Sequence, residues 1–293
     1  MRVSSMSKLL IGSLLTSSIL FAGGFETAPS SIDDKITNFF MSVIDGRNGA
    51  FRIKEISTRG HKDLKQIPGW KVYFVDIKLE MLKGKKEDMT VHEKVFTNGK
   101  YISKDFLDIN NRNSLKRLVS VDITDNSIYN KEHLIYGTGK EPHKIVAISD
   151  PLCPFCQDFM PGFLEAIKSH PGKVALYYYH LPLGRLHPAS PALSRLMLVA
   201  KKQGIKDVEL KTYQNKDYFV TDEKDEAKTI RAFNKVFKTH ITKEQIHSKD
   251  IEDEIKEDKK YVDELMINGT PTIYVDGKKD NGREKYKKIL GIK

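Results

Sequence analysis

Behind Ser31, the apolar residues Ile32, Ile36, Phe39, Phe40, Val43 and Ile44 recur at three- and four-residue intervals with polar residues between them. That spacing gathers them on one face of a helix, with Ser31 as its cap and Gly46 as its end. Strand-like runs follow at "FRIKEIS" (51–57), "WKVYFVDIKLEML" (70–82) and "MTVHEKVF" (89–96). Asn98-Gly99 is a hairpin turn signal ahead of "KYISKDFLDI". Residues 23–111 are therefore expected to form an α+β domain, a helix with a mostly antiparallel sheet. From 112 to 142 the chain turns polar, with a short helical stretch at "SLKRLV", and reads as a linker.

A second domain is expected over 143–293. It opens with the strand "KIVAIS" (144–149), continues through a helix and the strand "KVALYYYHL" (173–181), and then turns helical over about 188–267. It closes with "NGTPTIYVDGKKDNGREKYKKILG", read as a strand, an Asp276-Gly277 turn, a short strand and a last helix. Strand, helix, strand, helical block, hairpin and helix is the order of a thioredoxin fold that carries a helical insertion.

The first 22 residues change the setting. A basic start (Arg2, Lys8), an apolar run from Leu9 to Phe21 and small residues at 22–24 read as a secretory signal peptide. The alternative is an uncleaved anchor, against which the run is short and interrupted by Ser, Thr and Gly. Export places the chain in an oxidising compartment, the periplasm. Formal net charge is +10, and losing Arg2 and Lys8 with the leader leaves +8. The lysines are interleaved with acids throughout, as in "KDIEDEIKEDKKYVDE", so no nucleic-acid partner is expected.

The chain has two cysteines, both in "SDPLCPFCQDFMP" (149–161). Three readings compete. A zinc or copper site needs further ligands, and His143, His170, His180 and His187 have no partner at ligand spacing. A structural bridge across so short a loop removes little unfolded-state entropy. A redox centre fits the position, because a Cys-x-x-Cys between strand and helix places Cys153 where unpaired N–H groups and the helix dipole favour its thiolate. Cys156, about one turn on, is then the resolving thiol, and Pro154 stiffens the first turn. No cofactor or metal is expected. Tyr177, Tyr178 and Tyr179 read as core residues or, less simply, as the wall of a groove. "HLPLGRLHP" is expected to bring His180 or His187 near the thiols.

"CPFC" opening a helix after a strand, Pro161 eight residues after Cys153, and "NGTPTIYVDG" resemble the thioredoxin superfamily. Within it, the leader, small α+β domain, linker and catalytic domain resemble bacterial periplasmic thiol:disulfide interchange proteins of the DsbC/DsbG type. The resemblance implies a cystatin-like N-terminal domain that mediates homodimerisation, and a thioredoxin-like catalytic domain with Cys153 and Cys156 as its catalytic residues. Pro154, Phe155, Thr270 and Pro271 would complete the active-site loop, with Pro271 in the cis form. Threonine before that proline matches DsbC and DsbG, whereas DsbA oxidases usually carry valine. "CPFC" lacks the histidine of the DsbA dipeptide, which implies a moderately reducing centre.

The implied function is isomerisation or reduction of wrong disulfides in unfolded or misoxidised exported proteins, with re-reduction by a DsbD-type membrane reductase. A dimeric DsbA-like oxidase, a chaperone (holdase) with secondary redox activity and a dithiol metal carrier remain as alternatives. One departure from thioredoxin is Ala147, six residues before Cys153, where thioredoxins bury an aspartate. Proton transfer from Cys156 is then left to water or to Asp150.

Overall fold

The computed structural model describes residues 31–44, 51–82 and 89–292, and the expected leader and the helix end at Gly46 lie outside them. The chain divides into two units, 1–45 and 46–293. In the first, α1 (Ile32–Val43) starts at Ser31 through a reciprocal cap. The Asp34 N–H donates to Ser31 Oγ at 3.1 Å, and the Ser31 N–H donates to Asp34 Oδ2 at 3.0 Å.

The second unit begins with a four-stranded antiparallel sheet, β1 (Phe51–Asp63), β2 (Lys71–Met81), β3 (Met89–Thr97) and β4 (Ile102–Ser103), in that spatial order. β1 outruns its apolar alternation, which ends at Ser57. A register shift between Thr58 and Gly60, with Gly60 at φ +125°, absorbs the break and lets pairing continue to Asp63. β4 is shorter than its sequence promises. Asp105 takes the Phe106 and Lys116 N–H groups and the Ser114 hydroxyl, and so turns the chain out of the ladder. Leu64, Val72, Phe74 and Phe96 of this sheet region pack with Leu115 of α2 (Leu115–Leu118) and with Met266.

The second sheet has the order β5-β7-β6-β8-β9. β6 (His143–Ser149) and β7 (Val174–His180) are parallel and central, and their apolar side chains are buried on both faces. β8 (Thr272–Val275) and β9 (Lys278–Lys279) extend it antiparallel on one side. β5 (Leu134–Tyr136), antiparallel to β7 on the other, is an addition to the sequence reading. It lies in the polar linker, and three residues are too few to show a period. α3 (Pro154–Lys168) follows β6. The helices α4 (Ser190–Lys202), α5 (Val208–Gln214), α6 (Glu226–Phe237), α7 (Lys243–Ile246) and α8 (Lys249–Glu264) lie between β7 and β8, and α9 (Lys285–Leu290) ends the described chain. This part has the mixed α/β architecture of a thioredoxin-like fold.

Three long cations tie the first sheet to later parts of the chain. Arg59 donates to the Glu264 carbonyl, and Lys62 to the Ser120 carbonyl and the Asp122 carboxylate. Lys94, only 3% exposed, donates to the carbonyls of Lys116, Val119 and Met266.

Candidate active site

β6 stops at Ser149 because Pro151 has no N–H with which to extend a ladder. The chain turns through Asp150 to Leu152, with the Cys153 N–H donating to the Asp150 carbonyl at 3.2 Å. α3 then starts with Cys153 as its N-cap and Pro154 at the first helical position, where a missing N–H costs nothing. The N–H groups of Cys156 and Gln157 both donate to the Cys153 carbonyl at 2.9 Å. One turn of helix thus sets Cys156 in the core while Cys153 faces a cleft. Both cysteines are free thiols.

The cleft has a volume of about 590 Å³. Cys153, Pro154, Phe155 and the 268–273 loop line one part, Leu183, Leu186 and His187 another, and Lys94, Arg117, Lys279 and Arg283 supply its cations. Phe155 and Leu186 line the cleft at 70% and 71% exposure, two apolar side chains left open to solvent. The Thr270–Pro271 bond is cis. The Thr270 carbonyl lies 3.6 Å from Cys153 Sγ, and the Thr270 hydroxyl is buried. The expected loop residues Pro154, Phe155, Thr270 and Pro271 are therefore brought around the thiol.

The two sulfurs differ sharply in acidity. The hydrogen bond from Cys156 is the main cause that lowers the Cys153 pKa to about 5. Thr270 and the N–H groups of Cys156 and Phe155 add to it, against an opposing contribution from partial burial. Burial pushes the Cys156 pKa far up, and its donation to Cys153 raises it further, while Ser149 and Thr270 pull the other way. The pair holds one proton between them at neutral pH, on the inner sulfur.

Asp150 serves neither thiol with its carboxylate. Oδ1 accepts from the Leu152 N–H at 2.8 Å and the Ser190 hydroxyl at 2.5 Å. Oδ2 accepts from the Leu183 N–H and pairs with His187 Nδ1, each at 2.8 Å. This fully buried group fastens the active-site turn to the loop after β7 and the start of α4. His187 thus reaches the cleft, and His180 does not. His180 is buried in β7, its backbone N–H donates to Asp258 Oδ2, and burial lowers its pKa to about 3, so the ring is neutral. Tyr177, Tyr178 and Tyr179 are buried core residues. Sequence reasoning missed Ser149 and Tyr213, whose hydroxyls meet at 2.7 Å across 64 residues of chain, and Lys94. No local signal marks a contact made by folding. Among the described residues no cluster of three or more His, Cys, Asp or Glu could hold a metal ion.

A family model described as thioredoxin matches residues 129–292, more than half of the chain. The chain belongs to the thioredoxin family. The thioredoxin match takes in β5, the dithiol and the 268–273 loop. A probable disulfide bond formation protein D of Bacillus cereus is 26% identical over 169 residues, covering 53% of this chain and 78% of that protein. A Na(+)/H(+) antiporter NhaA 1 of Mycolicibacterium gilvum is 28% identical over 152 residues, and the match spans 50% of this chain but only 24% of the antiporter. Among solved structures, a thioredoxin-like oxidoreductase from Silicibacter pomeroyi superposes with a TM-score of 0.46 at 19% identity, over 58% of this chain and 96% of that one. Oxidised BdbD from Bacillus subtilis gives 0.44 at 19% identity, over 59% and 98%. The family is one of thiol–disulfide oxidoreductases with a thioredoxin fold.

Proposed function

We propose that the protein is an exported thiol:disulfide oxidoreductase that isomerises or reduces wrong disulfides in exported proteins. The observation that carries this reading is the split between the two thiols: an acidic Cys153 at a cleft and a buried, protonated Cys156 beneath it. In the reaction, the Cys153 thiolate attacks one sulfur of a substrate disulfide, and the other sulfur leaves as a thiolate. A substrate thiol can then displace Cys153 from the mixed disulfide, which completes an isomerisation. If it does not, Cys156 displaces the substrate and the enzyme is left oxidised, to be re-reduced by a DsbD-type membrane reductase.

Export rests on the leader-like first 22 residues. A homodimer joined through the N-terminal sheet is supported by β1, a thirteen-residue strand at the edge of its sheet. The name of the Bacillus cereus relative favours a second reading, a disulfide-forming oxidase that runs the same thiols in reverse.

The redox potential separates the two. A Cys153 pKa of about 5 lies between the values near 7 of thioredoxin and 3.5 of DsbA. Equilibration of the Cys153/Cys156 pair against glutathione, followed by alkylation and gel shift, is expected to give roughly −180 to −270 mV, the range from protein disulfide isomerase to thioredoxin. A value near −120 mV, that of DsbA, would replace the isomerase with the oxidase.

A further inference from the structure

Cys156 can resolve a mixed disulfide only as a thiolate, yet it lies in the core with no charge to favour one. Thioredoxin's acid is replaced by Ala147, and the Asp150 carboxylate is committed to Leu152, Leu183, His187 and Ser190. What the fold does bring to Cys156 is hydroxyls. Ser149, the last residue of β6, is fully buried, and its hydroxyl favours the Cys156 thiolate. Ser149 Oγ lies 2.7 Å from Tyr213 Oη on α5, which lies 2.8 Å from Tyr178 Oη on β7. Both tyrosines are buried in the same core cluster as Cys156, which places the hydroxyl chain against the inner sulfur.

Hydroxyls donate one hydrogen and accept at the same oxygen, so a chain of them can align. With Tyr178 donating to Tyr213 and Tyr213 donating to Ser149, the Ser149 hydrogen is free to point at sulfur. Each bond polarises the next in a low-dielectric core, which strengthens the last one.

We propose that Ser149, oriented by Tyr213 and Tyr178, donates the hydrogen bond that stabilises the Cys156 thiolate in the resolving step. The inference deepens the dithiol reading above and rests on it. Cys156 gives up its proton and its sulfur attacks Cys153 Sγ. The Cys153–Cys156 bond forms as the bond from Cys153 to the substrate breaks. The electron pair leaves on the substrate sulfur, which ends as a thiol carrying the proton that Cys156 lost. The substrate sulfur is reduced and Cys156 is oxidised. The groups that face Cys156 are Cys153 and Asp150 of the turn, Thr270 of the cis-proline loop, Ser149 of β6, Tyr178 of β7 and Tyr213 of α5. His187 stands behind Asp150, and Glu209 of α5 acts on Tyr178.

The test is stopped-flow reaction of the reduced full-length protein with the aromatic disulfide 5,5′-dithiobis(2-nitrobenzoate) across a range of pH. A first release of nitrothiolate reports attack by Cys153, and a second reports resolution by Cys156. In Ser149→Ala the second rate relative to the first is expected to fall about tenfold or more, the worth of a hydrogen bond to a charged group, with its pH profile moved to higher pH. Tyr213→Phe, which removes one hydroxyl and keeps the ring, should move both in the same direction by less, and Ser149→Thr should restore them. Wild-type rate ratios and pH profiles in Ser149→Ala and Tyr213→Phe would overturn the proposal. If Ser149→Ala does not fold, Tyr213→Phe alone decides by the same criterion. A wild-type protein with no second release, indistinguishable from Cys156→Ser, would overturn the dithiol reading itself.

Discussion

At the scale of single residues, the site works through an unequal pair of identical atoms. Because Cys156 is the largest cause of the low Cys153 pKa, the acidity of the outer thiol should depend on the inner one. Alkylation of reduced Cys153 by iodoacetamide is expected to stay near its full rate at neutral pH and to fall only as pH drops through about 5. In Cys156→Ala the midpoint should move up by a unit or more, toward the value of about 8.5 for a free cysteine. An unchanged midpoint would mean that the helix start and Thr270 suffice. The cysteines, their loop and Thr270-Pro271 were legible because each lies in a contiguous motif with a local physical reason. Ser149 and Tyr213 were not. They are ordinary residues whose meeting depends on how β6 and α5 pack. Asp150 stood inside the motif, but its four partners come largely from chain more than thirty residues away, so its fastening role was hidden.

At the scale of elements, that fastening is what holds the start of α3 in register with the loop after β7. Asp150→Ala leaves the buried Leu152 N–H, the part-buried Leu183 N–H, a serine hydroxyl and His187 without their acceptor. It is expected to cost about 3 kcal/mol in urea unfolding of the reduced protein. A loss under about 1 kcal/mol would show that the turn is held elsewhere. The long periodic elements were readable in advance: α1, β2, β3, β6, β7 and the helical block between β7 and β8. The misjudged ones were governed by features that carry no period. Gly60 carries β1 through its bulge, Asp105 ends β4, and β5 is three residues recruited by the edge of β7. In each case a single side chain or a neighbouring strand overrides the local alternation.

At the scale of the whole molecule, the first sheet is tied to the 115–122 segment and to the end of α8 through charged side chains as well as through a shared apolar cluster. The proposed dimer is open to sedimentation equilibrium at micromolar concentration, where a mass of two chains is expected and a monomer would remove the homodimer from the proposal. Lys94 bears on either outcome. Its ammonium is buried, with burial the main cause that lowers its pKa to about 8, and it is charged at neutral pH. It reaches the carbonyls of Lys116, Val119 and Met266 at 3.2, 2.9 and 3.1 Å, and so uses all three of its donors. Met266 leads within four residues to Thr270. The wall of the cleft is therefore pinned to the first sheet by a spacer of one side chain's length, and the gap that a substrate of the proposed reaction would enter keeps that gauge.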